Sequence, residues 1–318
     1  MRQSKNCLWL SAITVLAMFL FAGSTRADNW ELIKTPVDDN ISGVWFVNPD
    51  TGFVVTSSGK VLRTDNGGRI WTLLRFPGNM PLEDVSFING DTGIVCGRHG
   101  AILLTFDGGA TWSDRSLRDT LPWLLSTIML DSKTALVVGW ARDAKDRSKG
   151  LLLRSTDFGR SWDQLPDLGR GYGELFYRAG SPVCFQSWGR LHYSRDLGAT
   201  WQDRKTIDGK PGRAIAFYGT FGVIVGNQGM GAYTHDGGNS WTSISLDESV
   251  QYTSVALLSA DIGYVAGSTG MLQKTIDGGK TWKAEKIPQP IDILDLCLIG
   301  NKLYAVGSDG GIIRGTVK

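Results

Sequence analysis

Seven short, almost unbroken apolar runs punctuate the chain: FVVT ending at Thr56, IVCG at Gly97, LVVG at Gly139, VCFQ at Gln186, VIVG at Gly226, YVAG at Gly267 and YAVG at Gly307. Runs of this length bounded by turn residues predict strands buried on both faces. The first unit sets the pattern around them. Val44–Val47 reads as an inner strand, Gly52–Val55 as the second, Lys60–Arg63 as the third and Trp71–Leu74 as the outer one. The strings NPDTG, SSG and DNGG separate them as turns. No helical periodicity competes with this reading after residue 27.

An eight-residue string recurs between third and fourth strands. Its copies are TDNGGRIW, TFDGGATW, STDFGRSW, SRDLGATW, THDGGNSW and TIDGGKTW, ending at Trp71, Trp112, Trp162, Trp201, Trp241 and Trp282. The tryptophans lie 41, 50, 39, 40 and 41 residues apart. A period of about 40–45 residues marks a propeller or solenoid. Trp30 lies 41 residues before Trp71 but lacks the turn, whereas the last unit has strands and no closing tryptophan. The expected fold is therefore all-β: a seven-bladed propeller of four-stranded antiparallel blades, with Trp30–Ile33 completing the last blade beside Ile312–Arg314. Joining the two ends leaves no open sheet edge. Within the string, glycine supplies positive φ, and Asp107, Asp157, Asp196, Asp236 and Asp277 (Asn66 in the first copy) are placed to bond turn N–H groups. Equivalent turns around a ring cannot converge on one substrate, so these aspartates read as turn staples. The six tryptophans are expected to pack between sheets. Phe158 and Leu197 replace the first glycine, a drift that a structural device tolerates.

These strings resemble the Asp-box, or BNR, repeat, S/T-x-D-x-G-x-T/S-W. The extended pattern VxGxxGxxxxTxDGGxTW in one exported ring resembles most the photosystem II assembly and stability factors. The resemblance spans residues 28–318. It implies a non-enzymatic binding platform that helps membrane-protein subunits assemble on the exported side of a membrane, and an arginine patch on the ring as the contact. The repeat is strong evidence for fold and weak evidence for function, because one propeller hosts many tasks.

The N-terminus reads as a processing signal. Arg2 and Lys5 precede the apolar stretch Leu8–Phe21, and Thr25-Arg26-Ala27 offers a cleavage site. Residues 1–27 are thus expected to be a signal peptide and 28–318 one propeller, delivered to the periplasm or an equivalent exported space. Removing the signal takes away Arg2, Lys5 and Arg26, leaving a nearly neutral chain and no bulk charge for nucleic acid. Cys96, Cys184 and Cys297 remain, each within a different repeat, and read as buried free thiols.

Catalytic chemistry is hard to assign. The F/Y-R-I-P signature of sialidases is absent, and glutamate is confined to Glu31, Glu83, Glu174, Glu248 and Glu285. Asp292 and Asp295 flank the last inner strand and read as solvated strand ends. His99, His192 and His235 fall in different blades without metal-ligand spacing, so no metal, cofactor or catalytic set is expected. The third unit departs from the repeat, with about ten extra residues, Trp140–Gly150, between its second and third strands. Insertions often mark the binding face of a repeat array. The same face should carry Arg98, His99, Arg115, Arg118, Arg190 and Arg213, with Trp123 and Trp188 nearby. Arg98, Arg142, Arg147, Arg190 and Arg213 are the candidate partner-binding residues, since arginine and tryptophan carry interface energy. A locally positive rim would suit an acidic loop of a membrane protein or complex. A monomeric ring, peripheral association with the membrane and no nucleic acid complete the expectation. The alternative is an extracytoplasmic glycan-binding or glycoside-cleaving propeller.

Overall fold

The computed structural model describes residues 29–142, 148–166, 173–178, 182–187, 189–206 and 212–318. The proposed signal peptide, residues 1–27, lies outside them. Seven antiparallel sheets follow one another around an axis. The first blade consists of Ile41–Phe46, Gly52–Thr56, Val61–Thr64 and Thr72–Leu73. The inner strands of blades 2, 3, 5, 6 and 7 are Leu82–Phe87, Trp123–Met129, Gly212–Tyr218, Tyr252–Leu257 and Ile293–Ile299. Blade 4 departs from the four-stranded expectation. Its sheet has three strands, Val183–Ser187, Arg190–Ser194 and Gln202–Lys205, and Phe176 joins it through a single bridge to Cys184.

The second strands are buried along their whole length, as in Gly93–Gly97 and Gly263–Gly267. Sheet packs on sheet through them, and the blade interfaces form the core. Glycine at the start of such a strand makes room for an inner-strand ring: a Cβ on Gly93 would sit 2.5 Å from the ring of Phe87. That ring stacks on Phe53 of blade 1 at 3.6 Å between centroids.

Each recurring turn is held by its own polar side chains. In blade 2, Thr105 Oγ1 donates to Asp107 Oδ1 at 2.9 Å, and the Thr111 N–H donates to the same oxygen at 2.8 Å. The Gly109 N–H donates to Thr105 Oγ1 at 2.8 Å. Asp157, Asp196, Asp236 and Asp277 repeat the arrangement, and Asn66 reproduces it with its amide oxygen. The donors favour the ionised form, so Asp157, Asp196 and Asp277 are lowered to about 2. Where glycine is replaced, Phe158 and Leu197 keep the left-handed backbone at φ 67° and 53°. The tryptophan precedes the outer strand rather than opening it. Trp71 is 4% exposed; Trp112, Trp162, Trp201, Trp241 and Trp282 are only half-buried. Trp112, Trp201 and Trp282 donate Nε1–H back to a turn carbonyl, those of Gly109, Gly198 and Gly279. Third-strand arginines clasp the next blade's turn: Arg63 Nη1 donates to the Gly108 carbonyl at 3.0 Å, and Arg154 Nε to that of Leu197 at 2.9 Å.

The last blade closes as the sequence predicts. Asn29–Lys34 pairs antiparallel with Gly311–Thr316, with Ile33 opposite Ile312 and Trp30 opposite Gly315. Gly315 must be glycine here, because a Cβ would lie 2.4 Å from the Trp30 indole. Trp30 Nε1–H donates to Glu285 of blade 6 at 3.1 Å, and Arg314 Nε donates to Glu31 at 2.8 Å.

Two outcomes follow from these contacts. Deleting residues 28–34 exposes the Gly311–Thr316 edge, so soluble yield and melting temperature should fall sharply; an unchanged melt would contradict closure by this strand. Among the tryptophans, Trp71→Ala should cost about 3–5 kcal/mol by the cavity it leaves. Trp282→Ala should cost less, and Asp277→Asn at most about 1–2 kcal/mol, all read by chemical denaturation.

Candidate functional site

Six inner strands share one irregularity. Their register with the second strand slips by one residue near its N-terminal end, which leaves Ser42, Glu83, Leu125, Arg213, Thr253 and Leu294 without a partner. A bulge re-aims the extra side chain, and bulges are frequent at rims next to sites. All six residues line a cavity of about 360 Å³ at the mouth of the central channel. This is the face that carries the turns between second and third strands, as Trp140 and Asn227 in the same lining show.

Arg98 and Arg213 both reach this mouth. The Arg98 guanidinium lies over the Trp123 ring at 4.0 Å, and its Nε donates to Glu83 Oε1 at 2.7 Å. Trp123 Nε1–H donates to the same oxygen at 2.9 Å, and its ring packs on Trp140 at 5.4 Å between centroids. Arg213 occupies the bulge of blade 5. Burial lowers its pKa, while the charges of Glu83 and Glu174 oppose that shift. Arg142 is exposed and ends a strand, Ala135–Arg142, that pairs with Ser148–Ser155. The insertion is thus in part a lengthened hairpin, not a loop from Trp140 onward. Arg147 and Trp188 lie outside the described residues. Arg190 forms an ion pair with Asp203 of its own blade, and Arg118 pairs with Asp114. The rim is therefore mixed in sign, not uniformly positive, because Glu83 and Asp203 neutralise two of the arginines.

Below the mouth the channel narrows between three carboxylates, Asp84, Glu174 and Asp295, which also line a second cavity of about 490 Å³ opening to the opposite face. Asp295 is not a solvated strand end. It sits inside its strand, and its Oδ2 accepts the Val44 N–H of blade 1 at 2.9 Å. Its Oδ1 accepts from Ser254 Oγ of blade 6 at 3.1 Å. Asp84 repeats the stitch between blades 2 and 3, its Oδ2 accepting from Ser126 Oγ and the Thr127 N–H, each at 2.8 Å. These side chains touch water only within the channel, and the surrounding wall desolvates them. Burial lifts Asp84 to about 6, against the pull of its hydrogen-bond donors. Burial and then the charge of Asp84 lift Asp295 to about 7. Glu174 is raised well above the carboxylate range by burial and by both aspartates. Sequence reasoning missed this trio. Its one local signal is an acidic residue within an apolar inner strand, as in LEDVSF and ILDLCLI.

Residues 70–170, from the first recurring turn through most of blade 3, match the family model of the photosynthesis system II assembly factor YCF48. The chain is YCF48-like. The solved structure of YCF48 bound to D1 peptide matches with a TM-score of 0.73 at 20% identity, covering 91% of this chain and 95% of that one. YCF48 from Cyanidioschyzon merolae matches at 0.69 and 19% identity, covering 90% and 98%. Virginiamycin B lyase from Staphylococcus aureus matches at 0.72 with 9% identity, covering 92% and 100%. At such identities these likenesses establish the fold. No curated protein sequence matches the chain at a significant level.

In this YCF48-like ring the other reactive groups are dispersed. His99 is a turn residue at φ 57°, His192 is buried in blade 4, and His235 stacks on Phe221. Cys96 and Cys184 are buried free thiols, and Cys297 is a half-buried one.

The carboxylates set a pH dependence with opposite signs at two places. Asp84 and Asp295 bind protons more tightly folded than at the ordinary aspartate value of 3.8, so their contribution to stability is lost as pH rises through about 6 and 7. Asp157, Asp196 and Asp277 are held below that value, so theirs is lost as pH falls toward 2. The melting temperature should be higher at pH 5 than at pH 8, and Asp295→Asn should narrow the difference. A parent protein that melts higher at pH 8 would contradict this assignment.

Proposed function

We propose that this propeller is a non-enzymatic protein-binding platform that assists assembly or stability of a membrane-protein complex on the exported side of a membrane. One observation carries the reading. The stretch that matches the YCF48 model contains Glu83, Arg98, Trp123 and Trp140, the cation-over-aromatic half of the channel mouth. A fixed guanidinium on a tryptophan face, ringed by hydrogen-bonding groups, is the chemistry of an interface anchor. YCF48 itself has been seen with a D1 peptide, which supports a polypeptide as the kind of partner. The arrangement asks for a segment that lays a carboxylate on Arg98 or Arg213 and an apolar side chain against Trp140. The signal-like N-terminus supports export, and the periplasm or an equivalent space follows from it. The chain would act as a monomer, held near the membrane by its partner.

A second reading keeps one specific support. Asp84 and Asp295, raised to about 6 and 7, are carboxyls of the kind that act as acids in glycoside cleavage. Both are tied to backbone and serine donors across blades, which favours a bonding role in the wall.

The test is affinity capture from the native envelope with parent, Arg98→Glu and Arg190→Glu proteins. Arg98→Glu should reduce capture of a membrane protein by about tenfold or more, while Arg190→Glu, outside the mouth, leaves it near the parent level. Equal capture by the Arg98 variant, at an unchanged melting temperature, would overturn the assignment of the mouth. Hydrolysis of envelope glycans by the parent, abolished in Asp84→Asn, would favour the second reading.

A further inference from the structure

The two aspartates of the channel waist have bonding partners; Glu174 does not. Among the described residues no hydrogen-bond donor reaches its carboxylate, and the only cation acting on it is Arg213, at a distance that makes no ion pair. Its backbone is fixed, with its N–H donating to the Arg213 carbonyl at 2.8 Å. An enclosed carboxylate with no donor is costly unless it is protonated or met by a cation. The space in front of it is shaped for one. The cavity of about 490 Å³ runs from Asp84, Glu174 and Asp295 to the opposite face between apolar and aromatic walls, including Trp45, Phe176, Phe217, Tyr218 and Leu298. That volume lies within the range of small-molecule sites. Among the described residues, no three His, Cys, Asp or Glu side chains are grouped as a metal cage. The cation that fits is therefore organic, with an apolar body.

We propose that the channel waist binds a primary ammonium carried on an apolar or aromatic stem, with Glu174 as its principal contact. The ammonium lies between Glu174 and the exposed lone pairs of Asp84 and Asp295, and the stem lies along the aromatic wall. Two guanidiniums bound the site. Arg213 faces Glu174 from the first mouth, and Arg178 stacks on Tyr218 at 4.4 Å at the outer end of the second. They repel a second cation, so occupancy is limited to one. This site is separate from the partner surface at the Arg98 mouth and stands or falls independently of it.

The proposal predicts a pH dependence of binding. Asp84, Glu174 and Asp295 are the acids that face the ammonium, Cys297 shares the wall, and Arg213 and Glu83 lie at the mouth. The acids hold protons at mildly acid pH because burial and mutual repulsion raise them. Ammonium binding must displace those protons, so affinity rises with pH while the amine keeps its charge.

The experiment is calorimetric titration of the full chain with 2-phenylethylammonium, with Nα-acetyl-lysine amide as a second probe and phenylacetate as the matched anion. Binding of 2-phenylethylammonium at one site is expected, tightening by about tenfold between pH 5 and pH 8. Glu174→Gln should weaken it about tenfold or more with an unchanged circular dichroism spectrum, since the lost carboxylate bonds nothing in the fold. Binding of the lysine probe as well would extend the site to an inserted lysine side chain; its failure would restrict the site to free amines. The proposal is overturned if the parent binds no ammonium probe, if phenylacetate binds as well, if affinity is flat in pH, or if folded Glu174→Gln binds like the parent.

Discussion

The pairing of Asn29–Lys34 with Gly311–Thr316 is the constraint on which the ring depends. Each blade buries its faces only against its neighbours, so the array gains its last interface when the two ends of the chain meet. Without that strand, blade 7 would present an unpaired edge and Tyr264 of blade 6 would lose the Trp30 ring it meets edge-on at 6.2 Å. Closure also fixes the inner diameter, because seven sheets at a set packing distance leave a channel of one width. The position of every channel residue is therefore inherited from a contact on the outside of the ring.

Within that frame a single backbone device builds the site. The bulge recurs in six inner strands with six different residues in it, from Leu125 and Leu294 to Glu83 and Arg213. The ladder on either side of the bulge is unaffected by what the extra side chain is, since that side chain points into the channel mouth. Such a position can change chemistry without cost to the sheet. The cation-over-aromatic cluster follows from it: Glu83 is swung inward by its bulge and can then accept from both Arg98 and Trp123.

Carboxylates of one residue type end at opposite extremes in this molecule. Five aspartates in the recurring turns are solvated and surrounded by donors, and they ionise readily. Asp84 and Asp295 also receive donors, yet desolvation and mutual repulsion outweigh them. The difference lies in the surroundings of the group, not its hydrogen-bond count. Glu174, with neither donors nor water around most of its surface, marks the far end of that scale.

The elements legible in the sequence are those whose physics is local. A recurring turn is decided within eight residues, so its aspartate bonds, its glycines and its period could be read directly, and seven blades with a shared closing strand followed. Burial of the second strands was legible because a strand covered on both faces must be apolar throughout. The channel was not legible. Asp84, Glu174 and Asp295 stand 90 and 121 residues apart, and nothing short of ring closure brings them together. Even the choice of inward-facing side chain was hidden, because a bulge shifts the alternation of a strand by one residue and reverses which positions face the axis. Asp295 read as a strand end for that reason. The arginines were found by type and blade, but whether each met a carboxylate, as Arg190 meets Asp203, was settled only by the packing of neighbouring strands. Sequence determined the sheets and their count; tertiary structure alone decided which side chains share the axis, because that depends on distances across the ring.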